Sequence, residues 1–425
     1  MDYTKRYTIK ANNRIPNFIS LMALALNKNP SAIFFAGGMP NTQTFPFKEV
    51  NVSCKDGTSV KLKGRDVDVA FQYGPTKGYL PLVEKWRNFQ EQWHAPKFND
   101  WDVHFTAGSQ EGCSKIFELF INSGDSVMVQ TPTYTATLRA IIPLQPEFIE
   151  IHQDAEGVKP EEIEKICKEK LEAKKPLPKF LYVNPTGANP TGTVLSDKRK
   201  EKIYELAQKY DFLILEDDPY YFLHFLDKQP LSFLSMDTDG RVVRFDSFSK
   251  ILSAGLRLGV VTAHKDILEK MSLHIQCTSL HPSSLSQVLV YKLFESWDQE
   301  KFENHFKDIQ VFYRERRDMM LSAIEKHLTG LAEWTTPTAG MFVWVKITVL
   351  DDVYEMVMKH CIDQGIYVLP GHTFNADASI KCQNIRLCYS YATKDEIEKG
   401  LTLLAKIIKE ESAKKEKFIN SVGKK

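Results

Sequence analysis

An α/β architecture, with a large and mainly parallel sheet flanked by helices and a smaller α+β domain after it, is the fold class that this chain predicts. Three observations carry the prediction. Between about Asp102 and Ala263, short apolar runs alternate with amphipathic stretches, the pattern of repeated strand-turn-helix units. Two of these runs, Val242 to Phe245 and FLILE at 212–216, are rich in β-formers and read as buried strands of a parallel sheet. After Gly330 the texture changes to strands and helices of a separate, smaller unit.

In chain order, the predicted strands of the large unit are VHFT, SVMVQ, FIEI, KFLYV, FLILE, RVVRF and LGVVTA. Amphipathic stretches such as QEGCSKIFELFI and SDKRKEKIYELAQKY supply the helices between them. Residues from about Pro282 to His327 read as long helices. In the last unit GMFVWVKI and IRLCYS read as strands, with IYVLPG between them. There VYEMVMKHCIDQG and KDEIEKGLTLLAKIIKE read as helices, and the basic tail ESAKKEKFINSVGKK as a solvated, poorly ordered end. The expected domains are an N-terminal segment (1–45) joining the small domain, a large domain (46–329) and a C-terminal small domain (330–425).

Composition narrows the function. With 425 residues and 43% hydrophobic content the chain buries a large core. Its 55 basic and 54 acidic residues leave a net charge of +1, so no global field favours nucleic acid or membranes. The seven cysteines form no CxxC pair and the eleven histidines show no ligand spacing, which argues against disulfides and zinc and for a reducing compartment. No apolar run is long enough to span a bilayer, and the N-terminus lacks an apolar signal core. The expected compartment is the cytoplasm, with the mitochondrial matrix as the alternative.

The chemistry concentrates just past the predicted strands, where open α/β sheets build their sites. After VHFT, AGSQEG opens a helix whose backbone amides suit a phosphate, with Ser109 and Gln110 as added donors. After SVMVQ, TPTY offers the flat face of Tyr134. After KFLYV, the loop NPTGANPTG presents Asn189. After FLILE come Asp217 and Asp218, costly at the end of a buried strand unless something cationic meets them, and then Tyr220. After RVVRF, SFSK delivers Lys250 beside Ser247 and Ser249, and Arg257 follows with a fork of anion donors. A phosphate cup, a flat face, an amide, a buried carboxylate, a phenol and a lysine match pyridoxal 5′-phosphate group by group. The lysine forms a Schiff base with its aldehyde, and Asp217 keeps its ring nitrogen protonated.

In these motifs (NPTG at 189–192, DDPY at 217–220, SFSK and RLG at 257–259) the chain resembles the fold-type I pyridoxal-phosphate aminotransferases. The stretches FAGGMPN, FQYGPTKG, EDDPYYFLHF, TAGMFVW and LPGHTF resemble the kynurenine/α-aminoadipate aminotransferases and the fungal aromatic aminotransferases. The resemblance implies ping-pong transfer of an amino group from an aromatic or related amino acid to 2-oxoglutarate or another 2-oxo acid. It makes Lys250 the Schiff-base lysine and proton shuttle, Asp217 the partner of the ring nitrogen, and Asn189 and Tyr220 the partners of the ring's phenolic oxygen. Tyr134 would stack on the ring, while Ser109, Gln110, Ser247, Ser249 and Arg257 would hold the phosphate. Tyr73 would reach in from the partner subunit of a homodimer. Arg386 would clamp the substrate α-carboxylate, and Gly38 would lie against the substrate.

One position departs from that family: Ser20 stands where the kynurenine/α-aminoadipate enzymes carry a substrate-facing arginine. Serine cannot neutralise a distal carboxylate, which leaves aromatic donors as plausible as α-aminoadipate. Competing readings are a β-lyase or decarboxylase on the same fold and a non-catalytic pyridoxal-phosphate-binding regulator. A nucleotide-binding Rossmann protein is disfavoured because no GxGxxG follows an early strand.

Overall fold

The computed structural model describes residues 1–18, 31, 33 and 35–422, the last five by backbone alone. Ser20 lies outside the described residues.

After an antiparallel hairpin, β1 (Glu49–Ser53) and β2 (Ser59–Lys63), the chain builds one eight-stranded sheet. Its strands are β3 (Trp101–Thr106), β4 (Ser126–Thr131), β5 (Glu147–Asp154), β6 (Gly157–Val158), β7 (Phe180–Val183), β8 (Leu213–Asp217), β9 (Val242–Ser247) and β10 (Gly259–His264). They lie in the order β3-β10-β9-β8-β7-β4-β5-β6. From β5 through β4, β7 and β8 to β9 neighbouring strands are parallel. Every one of the predicted runs is a strand. LGVVTA differs in direction: β10 is antiparallel to both β9 and β3. The physical reason is the short connection Phe248–Leu258, which holds only one π-helical and one 3-10 turn, whereas a parallel return needs a crossover of a dozen residues or more.

The strand order reverses between β4 and β7, because β5 continues on one side of β4 and β7 returns on the other. Such a switch point opens a crevice at the carboxyl ends of the strands. Core packing on both faces keeps those ends in place. Along β7, Phe180 and Tyr182 enter one hydrophobic cluster and Leu181 and Val183 another, so the strand has no solvated face. Each such large apolar side chain contributes about 1.5–3 kcal/mol by leaving water.

The first residues do not join the small domain as expected. Tyr3, Tyr7 and Ala11 recur at intervals of four and pack into the core beneath the large sheet, where the Tyr3 hydroxyl donates to Gly240 O at 2.6 Å.

The second sheet is antiparallel, in the order β11 (Ala332–Trp334), β12 (Phe342–Ile347), β14 (Asn384–Cys388), β13 (Leu369–Pro370). The predicted helix VYEMVMKHCIDQG is wound as a π-helix over Met356–Cys361, and IYVLPG pairs only through Leu369 and Pro370. As far as Val422 the basic tail is helical: the last helix runs Lys394–Val422. Strong helix formers carry it onward, and Lys415 meets Asp351 at 2.8 Å. The two sheets touch where Gly187 of the NPTGANPTG loop abuts Gly340. A Cβ on Gly187 would fall 2.6 Å from Gly340 N, so only glycine allows this approach, and it carries Asn189 against β14.

Candidate active site

The phosphate cup forms where β3 ends. The helix Ser109–Phe120 begins at Gly108, whose φ of 96° suits glycine, and a Cβ there would strike Arg257 Nη2 at 2.5 Å. Gly259, at the start of β10, lies equally close, since a Cβ on it would fall 2.3 Å from Ser109 N. Two glycines thus bring the open amides of a helix N-terminus, the Arg257 guanidinium and the end of β9 together. Arg257 holds a left-handed backbone (φ 51°) and keeps only long contacts, 3.3 Å to Ala254 O and 3.4 Å to Ala107 O. Its donors remain available to an anion. Ser247 and Ser249 edge the same turn, with Ser249 N donating to Ser247 Oγ at 3.2 Å. The Gln110 side chain donates to Ala136 O at 3.2 Å, so it ties the cup to the helix that carries Tyr134.

Asp217 ends β8 and is buried. Its Oδ2 accepts a 2.5 Å hydrogen bond from the Tyr182 hydroxyl, and its Oδ1 is buried with no partner among the described residues. Burial raises its carboxyl to about 6, the Tyr182 hydrogen bond and Arg244 lower it, and the charge on Asp246 raises it. Asp218 points the other way. It joins Glu216 and Asp246 around Arg244, at 3.3, 3.3 and 2.8 Å, and the guanidinium is fully buried. The alternation of a β-strand separates the two aspartates.

On the far side of the crevice, Arg386 of β14 donates from Nη1 to Asn189 Oδ1 at 2.8 Å. Its guanidinium sits over the Phe342 ring at 4.1 Å and faces Phe374 at 5.3 Å, while Nε is buried without a partner among the described residues. Lys250 follows β9, with Nζ 6.0 Å from the centre of the Tyr220 ring. Burial holds its ammonium below the usual range; nearby Cys388 opposes that, and Arg386 and Arg257 add to it. The Tyr220 and Tyr134 hydroxyls are both pushed up by burial, and both lie within range of the charges on Asp217 and Arg386.

Sequence reasoning therefore named residues that the fold assembles: Ser109, Tyr134, Asn189, Asp217, Tyr220, Ser247, Ser249, Lys250, Arg257 and Arg386 share one crevice. Tyr73 and Gly38 stand apart from it within one chain. Tyr73 is exposed and meets His281 edge-on at 6.0 Å, and Gly38 has no atom within 4 Å of a built Cβ. Tyr182 went unnoticed because, inside KFLYV, it reads as one more buried strand residue.

The donor set fits a phosphorylated pyridine aldehyde on observations of this chain alone: an orphaned carboxylate oxygen in a dry site, a glycine-floored anion cup, and an amine whose charge burial disfavours. The fold and this crevice define a pyridoxal-phosphate-dependent enzyme. The chain belongs to the aminotransferase class I and II family, whose model matches residues 50–404. It is 40% identical over 423 residues to the mitochondrial kynurenine/alpha-aminoadipate aminotransferase of Bos taurus, covering 96% of this chain and 100% of that one. Among solved structures, Pyrococcus horikoshii kynurenine aminotransferase, in complex with PMP and with kynurenine and KYA as substrate and product, superposes with a TM-score of 0.77 at 33% identity. That match covers 96% of this chain and 98% of the other. An aminotransferase from Candida albicans superposes with a TM-score of 0.86 at 26% identity, over 97% and 99% of the two chains. The protein is a pyridoxal-phosphate-dependent aminotransferase, acting on amino acids and 2-oxo acids. Among its described residues, no helix is long and apolar enough to cross a membrane.

Proposed function

We propose that the enzyme transfers the amino group of an aromatic or related amino acid (kynurenine, tyrosine, phenylalanine, tryptophan or α-aminoadipate) to 2-oxoglutarate or another 2-oxo acid by a ping-pong mechanism. One observation carries the substrate class: the carboxylate-binding fork of Arg386 lies against the rings of Phe342 and Phe374. A bound amino acid meets a charged clamp for its α-carboxylate and apolar walls for its side chain. The names of the bovine and archaeal relatives support kynurenine as a donor.

Ser109, Gln110, Ser247, Ser249 and Arg257 would hold the cofactor phosphate. Tyr134 would cover one face of its ring, and Asn189 and Tyr220 would hydrogen-bond its phenolic oxygen. Asp217 Oδ1 would accept a hydrogen bond from its protonated ring nitrogen. When bound, pyridoxal phosphate supplies the electron sink that makes the substrate Cα–H acidic and the carbon that stores the amino group between half-reactions. Lys250 would hold the cofactor through its amine and would move the proton between substrate Cα and cofactor C4′. Burial, which disfavours its charge, favours the amine as a base for that transfer. Arg386 fixes the carboxylate so that the Cα–H bond stands perpendicular to the ring.

The working form is a homodimer in which Tyr73 reaches the partner's phosphate cup and Gly38 lies against the substrate. Exposed Phe35, Ile33 and Tyr73 support this, since single chains rarely leave such groups in water: Phe35 is 94% exposed. The compartment is the cytoplasm or the mitochondrial matrix, the latter favoured by the bovine relative's name. A donor-by-acceptor panel tests the reading. Glutamate formed in step with loss of kynurenine or tyrosine supports it; ammonia released without any 2-oxo acid replaces it with a lyase.

A further inference from the structure

The carboxylate opposite the cofactor ring is held by a relay that neither strand pattern nor motif reveals. Tyr182 of β7 is fully buried, and its hydroxyl makes two hydrogen bonds: 2.5 Å to Asp217 Oδ2 and 2.9 Å to Thr137 Oγ1. An ionised carboxylate only accepts, so the Tyr182 proton points to Asp217. The remaining lone pair of the phenol then takes the Thr137 hydroxyl proton, and the phenol cannot rotate away. Thr137 lies on the helix Thr135–Ile141 that opens at Tyr134, with Thr137 N donating to Tyr134 O at 3.1 Å. The relay therefore starts beside the stacking face and ends on the carboxylate. With Oδ2 taken, Oδ1 is the oxygen left over, buried and unpartnered.

We propose that Tyr182 is a positioning residue for transamination: locked by Thr137, it keeps Asp217 ionised and in the one rotamer that leaves Oδ1 to the ring nitrogen of the cofactor. This rests on the reading of Asp217 as that nitrogen's partner. Among the described residues Asp217 has no other donor on its carboxylate, so the buried anion depends on this hydroxyl. Once the hydroxyl is removed, the shared proton shifts from the ring nitrogen toward Asp217, and the ring is a weaker electron sink.

The test measures binding of two probes to apoenzyme by tryptophan quenching: pyridoxal phosphate, and its analogue with C–H in place of the ring nitrogen. Wild type should prefer pyridoxal phosphate strongly. Tyr182→Phe, which keeps the ring that fills the core, should lower that preference ratio by about tenfold or more, the scale of one hydrogen bond to a charged group. Thr137→Val removes only the lock and should lower the ratio by a smaller factor, and Thr137→Ser should restore it. It serves as the probe if Tyr182→Phe does not fold. A merely structural role would weaken both probes equally; an unchanged ratio in Tyr182→Phe and Thr137→Val overturns the proposal. Asp217→Asn is the control. If it also keeps the wild-type ratio, the assignment of Asp217 itself falls; if it loses the ratio while Tyr182→Phe keeps it, only the role of Tyr182 falls.

Discussion

Asp217 and Asp218 are neighbours on one buried strand end, yet they occupy opposite electrostatic worlds. Asp218 looks into a closed cluster, where Arg244 meets three carboxylates and the Tyr221 ring at 4.7 Å, and Thr186 adds a hydroxyl at 3.1 Å. Asp217 looks into the crevice with one neutral donor, Tyr182, and no cation on it; a buried Oδ1 without a partner among the described residues is common to both aspartates. Burial pushes both carboxyls up, chiefly by desolvation. The difference lies in who answers the charge. On one face the fold itself does, and on the other a ligand is left to do so, which is how a buried acid marks a site rather than a scaffold.

The sharpest way to break this comparison is to remove the amine of Lys250, which lies 6.0 Å from the centre of the Tyr220 ring. Lys250→Ala should cut turnover by about 10³-fold or more while pyridoxal phosphate still binds through its phosphate, seen as near-normal equilibrium uptake and loss of kcat. Residual activity close to wild type would separate Asp217 from any catalytic centre at Lys250. Next in size, the scaffold side should fail as a fold. Arg244→Met strands Glu216, Asp218 and Asp246 without their cation and should lower stability by about 3–5 kcal/mol in denaturant titrations.

Asp217→Asn should do the reverse, costing about a hundredfold or more in kcat with little loss of folded protein. The apoenzyme's pH dependence sharpens the point. A carboxyl raised from 3.8 to about 6 by folding stabilises the protonated native state, so its contribution is complete below about pH 4 and lost as pH rises through 6. That loss amounts to about 3 kcal/mol for a shift of this size. Urea midpoints of the apoenzyme should fall over this window, and Asp217→Asn should flatten the fall. The smallest effect is expected at Asp218→Asn, which should keep most activity and change mainly the pH slope of stability. A turnover loss there equal to that of Asp217→Asn would erase the distinction between the two faces.

Much of this was readable in advance. The strands were legible because a parallel sheet buried on both faces demands unbroken apolar runs, and the site was legible because chemistry sits in the loops after them. Lys250, Asn189 and Asp217 stood out as polar groups in the turns behind such runs, and Arg257 as an arginine directly before one. Less legible were the features set by partners distant in sequence. The docking of Tyr3 and Tyr7 on the large sheet depends on an apolar surface that segments far along the chain build together. Tyr182 and Thr137 are ordinary residues until the fold brings their hydroxyls to Asp217.

The order of runs and loops along the chain determined the α/β class, the cofactor and most of the groups proposed to bind it, because periodicity and motif are local properties. That Arg244 is the enclosed arginine, that it is the cation answering Asp218, and that the Tyr182 hydroxyl meets Asp217 were decided only by tertiary structure. Burial and hydrogen-bond partnership are properties of the assembled surroundings, and no single stretch of sequence contains them.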